Sequence, residues 1–135
     1  MAFDLDSLAA VDTFALHLKH PLSEELLYDD NEKTLPVQIV IHGPSSTQYI
    51  EAVTAMQNRE LKRQREKKLK SAEQIKSEGI DLLVACSDHA VNLEYKQAPL
   101  DNPEAFRRLY SDTKLGWIKD AVDAAIGDMA NFLGQ

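Results

Sequence analysis

The chain has 135 residues, of which 44% are hydrophobic, so it is long enough and apolar enough to bury a core, and we expect one domain over residues 1–135. A single cysteine excludes an intramolecular disulfide and a multi-cysteine metal site, and the net charge of −7 disfavours nucleic acid or anionic membrane as a partner for the whole surface. No apolar run approaches the ~18 residues of a membrane span and the acidic start is unlike a secretory signal, so we expect a soluble cytoplasmic protein.

Two stretches near the N-terminus alternate apolar and polar residues, as half-buried strands do. The first covers residues 13–19 and ends at His20-Pro21. The second covers residues 34–41, where Pro36 indicates an edge strand. Residues 25–28 are a weaker candidate for a short strand. These segments predict a small antiparallel β-hairpin part over residues 12–43, with an apolar face that another element must cover.

Helical spacing follows the turn at residues 43–46, where Ser45, Ser46 or Thr47 can cap a helix. We expect this first helix to dock on the hairpin through its apolar residues, Tyr49, Ile50, Val53, Met56 and Leu61. A helical stripe resumes from Ser71 to Tyr95, formed by Ile75, Gly79, Leu82, Leu83, Cys86, Ala90 and Leu93. Gly79 indicates a kink, a helix end or a close helix contact. The sequence leaves open whether residues 45–95 form one helix or two.

Two further helices are predicted near the C-terminus. Asp101 or Asn102 can cap a short one with Pro103 in its first turn. The last begins at Asp112 or Thr113 and ends at Gly134. Its stripe comprises Leu115, Ile118, Val122, Ala125, Ile126 and Met129, with Trp117 at the border and Phe132 as an extension. The predicted fold is α+β and mostly helical, with the hairpin followed by three or four helices over residues 45–133, one of them long with an exposed basic segment.

The segment from Arg59 to Lys70 holds seven of the fifteen basic residues, opposed there by Glu60 and Glu66. The rest of the chain carries eight basic and twenty acidic residues, a balance of −12. Three interpretations remain open: a solvated helix face, a docking surface for an acidic partner or a second copy, and a nucleic-acid site. No aromatic residue is interleaved for base stacking, which makes nucleic acid the weakest of the three. The candidate contact residues are Arg59, Lys62, Arg63, Arg65, Lys67, Lys68 and Lys70.

We find no pattern that predicts catalysis. Cys86 and His89 are three residues apart, but Cys86 belongs to an apolar stripe and is better explained as a buried, inert thiol. His17 and His42 could meet across the hairpin, although surface histidines explain them more simply. The chain has neither a phosphate-binding glycine-rich loop nor a hydrolase motif. We therefore expect a protein that is not an enzyme and needs no metal or cofactor.

The order of short motifs along nearly the whole chain resembles the tail assembly chaperones of long-tailed bacteriophages and prophages, and among them most resembles the HK97 chaperone. Three stretches carry this resemblance. They are FALHLKHP at residues 14–21 with Glu25-Leu26-Leu27, IHGPSS at residues 41–46, and the closing run from Leu115-Gly116-Trp117-Ile118 to Asn131-Phe132-Leu133. The chain departs from the family at Leu22-Ser23-Glu24, where many members have a small residue and glycine.

The resemblance implies a non-enzymatic function during tail assembly in the host cytoplasm. Members of the family coat the long, helical tape measure protein, help recruit tail-tube subunits, and are absent from the mature virion. Many are made in two lengths by ribosomal frameshifting. The family has no catalytic residues, so the site is a surface. We expect a homo-oligomer formed through the basic segment, and an apolar client surface at Trp117, Met129 and Phe132. The alternative is a small nucleic-acid-binding regulator that uses residues 59–70.

Overall fold

The computed structural model describes residue 2 and residues 4–133. A three-stranded antiparallel sheet is formed by β1 (Thr13–His17), β2 (Gln38–His42) and β3 (Ser87–Val91), with β2 in the centre. A two-residue hairpin of β4 (Glu94–Tyr95) and β5 (Ala98–Pro99) follows. The helices are α1 (Thr47–Arg65), α2 (Ala72–Cys86), α3 (Pro103–Ser111) and α4 (Gly116–Gly127). Short 3₁₀ turns cover Leu5–Leu8, Thr113–Leu115 and Met129–Phe132. The predicted α+β class, a small N-terminal antiparallel sheet followed by four helices, is confirmed.

The N-terminal alternation produces the two strands that it predicts, but β2 is not an edge strand. Pro36 precedes the strand and is not part of its ladder, so its missing N–H costs no strand pairing. β3 pairs with the second side of β2, and the Asn92 side-chain amide (Nδ2) donates to the Pro36 carbonyl at 2.9 Å. The candidate strand at residues 25–28 is reduced to isolated bridges, in which the Leu27 amide donates to the Leu18 carbonyl at 2.9 Å.

The prediction of helix up to Tyr95 is wrong beyond Cys86. Residues 87–91 leave the helix and pair with β2, which places Ala90 opposite Ile39 in the sheet. Ser87 begins this change of structure, since its hydroxyl donates to the Leu83 carbonyl at 2.7 Å and bonds the Tyr110 hydroxyl at 2.6 Å. Tertiary pairing therefore overrides a helical spacing that continues from α2 into the strand.

The question of one helix or two is settled by a break at residues 66–71. Helices α1 and α2 form a hairpin in which α1 contacts α2 more than any other element, and of the residues expected to dock on the sheet, Tyr49 packs against the core. No residue of α1 is buried. Gly79 lies inside α2 with open space where its Cβ would be, so it marks neither a helix end nor a close contact.

The core lies between one face of the sheet and helices α2, α3 and α4. Its fully buried members include Ile39 and Ile41 of β2, Phe106 of α3 and Val122 of α4. Residues from both predicted parts, 12–43 and 45–133, belong to this one cluster. Burial of these large apolar side chains is the main source of stability for a domain of this size.

The last predicted helix ends seven residues early. Helix α4 stops at Gly127, and the Asp128 carboxylate accepts from the Ala130 amide at 3.1 Å to begin a separate 3₁₀ turn. This turn brings Phe132 back to the sheet, where the Val11 amide donates to its carbonyl at 2.6 Å. The predicted end at Gly134 lies outside the described residues.

Candidate functional site at the tip of the helical hairpin

The basic segment forms the tip of the α1–α2 hairpin, and local sequence determines both helix ends there. Ser71 and Gln74 form a capping box that begins α2. At the end of α1, the Lys67 amide donates to the Gln64 carbonyl and the Lys68 amide to the Arg63 carbonyl, at 3.2 and 2.9 Å. These two bonds define a Schellman motif.

Lys67 occupies the left-handed position of this motif, with φ of 55°. Glycine is the usual residue there because a side chain makes the left-handed conformation costly by roughly 1–2 kcal/mol. A lysine at this position therefore keeps a cation at the hairpin tip at some cost in backbone energy. Strained backbone of this kind is found more often at functional positions than elsewhere.

Three of the seven cations hold the hairpin together through Glu78 of α2. The Glu78 carboxylate is 3.5 Å from Arg59 Nε, 2.9 Å from Arg63 Nη2 and 2.8 Å from Lys70 Nζ. Lys70 lies close to Oε2 without the orientation of a good hydrogen bond, so the contact is an ion pair. Glu78 is only 6% exposed. Since a buried carboxylate needs compensation, these contacts explain why the three cations are present.

A second carboxylate extends the same cluster on the α1 side. Glu60 Oε2 lies 2.9 Å from Arg63 Nη2 and 3.4 Å from Lys70 Nζ. The Lys70 contact is the largest influence on the pKa of Glu78; burial raises that pKa, Arg63 lowers it further, and the net direction is downward. For Glu60 the Arg63 hydrogen bond is the largest influence, and its pKa is also lowered. Both carboxylates are therefore ionised at neutral pH and hold Arg63 and Lys70 in place.

The remaining cations of the segment face solvent. Lys68 pairs with Glu66 at 3.1 Å between two exposed side chains, a contact worth little in water. Lys62, Arg65 and Lys67 are exposed and have no ion-pair partner among the described residues. The helix dipole explains part of this concentration of cations, because positive side chains in the last turn of α1 are stabilised by it. We call Lys62, Arg65 and Lys67 the free cations of the tip.

An apolar residue stands among these cations. Leu69 is 95% exposed and lines a depression of about 510 Å³ together with Lys62 and Gln74. Leu61 is also more than half exposed, and so is Ile75 of α2. A single exposed apolar side chain is normal on a protein surface, so Leu69 suggests a contact only together with the cations around it. Leu61 and Leu69 already lie beside cations in the sequence, and the hairpin adds Gln74 of α2 to the same depression.

Of the three residues predicted to form the apolar client surface, Trp117, Met129 and Phe132, the structure excludes Phe132. Phe132 is 0% exposed and lies edge-on to Phe14, with ring centroids 6.0 Å apart. Trp117 is half-buried and packs against the core. The Met129 side chain lies outside the described part of the chain. Phe132 is a core residue, and its contact with the sheet explains the burial.

The other candidate residues have structural explanations. Cys86 is buried, and burial raises the pKa of its thiol to about 11; it is the last residue of α2, whereas His89 lies in β3. His17 Nε2 is 2.7 Å from the Leu27 carbonyl, while His42 is at the opposite end of the β1–β2 pairing and contacts Asp88 at 3.4 Å. Within residues 4–133, no group of three or more His, Cys, Asp or Glu is placed to hold a metal ion.

Comparisons with protein-family models, curated proteins and solved structures find no match for the chain. Among the described residues, none of the helices is both long enough and apolar enough to cross a membrane. The candidate site is a helical hairpin whose tip combines three free cations, an exposed leucine and an internal ion-pair cluster.

Proposed function

We propose that the protein is a tail assembly chaperone of a long-tailed bacteriophage or prophage. In this function it binds the tape measure protein and helps recruit tail-tube subunits in the host cytoplasm, without catalysis and without entering the mature virion. The observation that carries the proposal is the order of the three motif stretches at residues 14–27, 41–46 and 115–133. The α+β architecture, with its N-terminal antiparallel sheet and following helices, is compatible with it.

The tip of the hairpin supports a function in protein contacts. A chaperone that covers a long client needs many copies side by side, and head-to-tail contacts between unlike surfaces produce such arrays. The free cations lie on a chain that has a charge of −12 outside residues 59–70. One copy can therefore attract the acidic surface of the next. We place self-association at Lys62, Arg65 and Lys67, and the client contact on the same hairpin at Leu61, Leu69 and Ile75.

Two triple variants distinguish contact residues from structural ones. Changing Lys62, Arg65 and Lys67 to glutamate removes the free cations and leaves the Glu78 cluster intact. We expect a smaller particle in light scattering and only a small fall in melting temperature, because Lys62 and Arg65 lie in the last turn of α1, where the helix dipole favours cations. The matched set Arg59, Arg63 and Lys70 to glutamate has the same change in charge and should destabilise the hairpin. An unchanged particle size for the first variant, with an intact fold, would refute self-association through the tip.

The competing function, a regulator that binds nucleic acid, uses the same free cations. A nucleic-acid binder should shift a labelled DNA or RNA duplex, with an affinity that falls steeply as salt concentration rises. A chaperone should instead co-purify with a co-expressed tape measure protein, and its complex should depend on the exposed leucines. Leu69→Ser changes an almost fully exposed side chain, so loss of the client without loss of stability would support the chaperone.

A further inference from the structure

A second group of cations surrounds a depression beside α3. Eight basic residues lie outside residues 59–70, and four of them line this one depression of about 590 Å³. They are Lys96, Arg107, Arg108 and Lys114. The sequence gives no sign of this cluster, because the residues come from the β4–β5 turn, from α3 and from the 3₁₀ turn that follows. We call it the α3 depression.

Most of the cations in the α3 depression are available to a ligand. Arg107 is bound to Asp81 of α2 and has a structural function. Arg108 is 3.5 Å from Glu104, and both side chains are largely exposed, so this pair is weak. Lys96 and Lys114 are exposed and form no ion pair with any residue of the described chain.

The carboxylate inside the depression is already occupied. Asp112 Oδ2 accepts from the Tyr95 hydroxyl at 2.8 Å, and Oδ1 accepts from the Lys114 amide at 3.0 Å. These hydrogen bonds come from neutral donors, and the one from Tyr95 is the largest influence that lowers the pKa of Asp112. The charges of Lys96 and Lys114 also act on Asp112 and lower its pKa. Asp112 is one carboxylate among the four cations that line the depression, so positive charge remains for a second anion.

The position of Lys96 is unusual for a lysine. Lys96 and Gln97 connect β4 to β5 with φ of 51° and 66°, the left-handed region that glycine and asparagine favour in two-residue hairpin turns. The turn holds the Lys96 ammonium 5.5 Å from the centroid of the Tyr95 ring. A cation is therefore fixed at the rim of the depression at a position where a smaller residue would be less strained.

We propose that the α3 depression binds an acidic polypeptide segment that presents two or more carboxylates to Lys96, Arg108 and Lys114. Guanidinium and ammonium groups spaced around one concave surface match carboxylates that project from an extended chain. The net charge of −7 on the chain repels the continuous charge of a phosphate backbone more than it repels two separate side-chain carboxylates. This site is independent of the function proposed above, because it uses none of residues 59–70.

Binding is tested with a fluorescein-labelled peptide of about six glutamates and an isotope-labelled sample of the whole chain. Amide chemical shifts should change at residues 95–97 and 107–114. The variant Lys96→Gly with Arg108→Gln should reduce the affinity by about tenfold, since it removes two charge-assisted contacts. Its stability should not fall, because both side chains are exposed and glycine suits the turn.

The matched control is Lys33→Gly with Lys76→Gln. Lys33 is also exposed and has a left-handed backbone conformation, with φ of 60°, and Lys76 is exposed on α2. The control therefore makes the same backbone change and the same change in charge as the test variant. The control should bind the peptide as the wild type does. Equal losses in both variants, or shift changes confined to residues 59–70, would overturn the proposal. A duplex that displaces the peptide and binds residues 95–114 more tightly would also overturn the choice of ligand.

Discussion

Replacing Glu78 by glutamine removes the charge on which the basic tip of the hairpin is assembled, while keeping the shape of the side chain. Arg63 and Lys70 would lose their shortest ion-pair contacts in α2, and Arg59 would lose a third at 3.5 Å. Glu60 would remain as their only carboxylate partner in the described cluster. We therefore expect the hairpin to loosen, and the free energy of unfolding to fall.

The expected loss in the free energy of unfolding lies between the values known for exposed and for buried ion pairs. Exposed ion pairs contribute ~0.2–1 kcal/mol, and breaking a fully buried pair costs about 3–5 kcal/mol. Glu78 is buried, but Lys70 is 28% exposed and Arg59 45% exposed, so water screens part of the interaction. We expect a loss of about 1–2 kcal/mol. With an m value near 2 kcal/mol/M, the urea midpoint measured by circular dichroism should fall by about 0.5–1 M.

The pH dependence of unfolding shows whether the effect of Glu78→Gln comes from the lost charge or from the altered side chain. The pKa of Glu78 is lowered in the folded state, so its contribution is complete above the ordinary value of 4.5 and is lost as pH falls through the lower folded value. Wild type and Glu78→Gln should therefore differ at neutral pH and converge as the pH falls through the lowered folded pKa of Glu78. Equal midpoints at neutral pH, or a difference that stays constant at acid pH, would refute the reasoning.

Four other outcomes follow from single residues. Gly79→Ala should raise the free energy of unfolding by up to about 1 kcal/mol in urea melts, because Gly79 is inside α2 and its Cβ would meet open space. Gly43→Ala should lower it by roughly 1–3 kcal/mol, since a Cβ there would overlap the Phe132 ring. Lys67→Gly should leave the melting temperature equal or higher while reducing particle size in light scattering. Cys86 should react with a thiol reagent only at the rate of unfolding, because the thiol is buried and its pKa is about 11.

The parts of the fold that sequence predicts well are those that local chemistry determines. Alternation over residues 13–19 and 34–41 produces β1 and β2, because one face of each strand packs in or against the core. Ser46 and Asn102 cap α1 and α3, each within the range of residues expected to do so. In these segments the side chains that fix the structure are within a few positions of each other, so spacing and residue type are sufficient.

The parts that sequence misses depend on contacts between distant segments. Strand β3 continues the helical spacing of α2, and only its pairing with β2 makes it a strand. Arg63 and Glu78 are fifteen positions apart, and the turn at residues 66–71 brings them together. One local sign of this cluster existed: Glu78 falls at a position of the apolar stripe between Ile75 and Leu82, where a charged residue needs a partner.

The α3 depression is likewise formed by residues that are distant in the sequence, so the sequence alone does not predict it. Lys96 and Arg108 are separated by β5 and by the first residues of α3, and no spacing in the sequence relates them. The sequence alone shows that basic residues are concentrated at residues 59–70. It does not show that some of these cations hold the hairpin together and that others are free. Only distances to Glu78 and Glu60 separate the two groups.

We propose that the protein is a chaperone for a tail component, and co-expression tests this proposal most directly. The chain should be produced together with a tape measure protein and passed through a sizing column at physiological salt. We predict one complex that contains many copies of the chain for each tape measure protein and that is lost with Leu69→Ser or with the free-cation variant. Separate elution of two intact proteins, with the chain shifting a nucleic-acid duplex instead, would contradict the account.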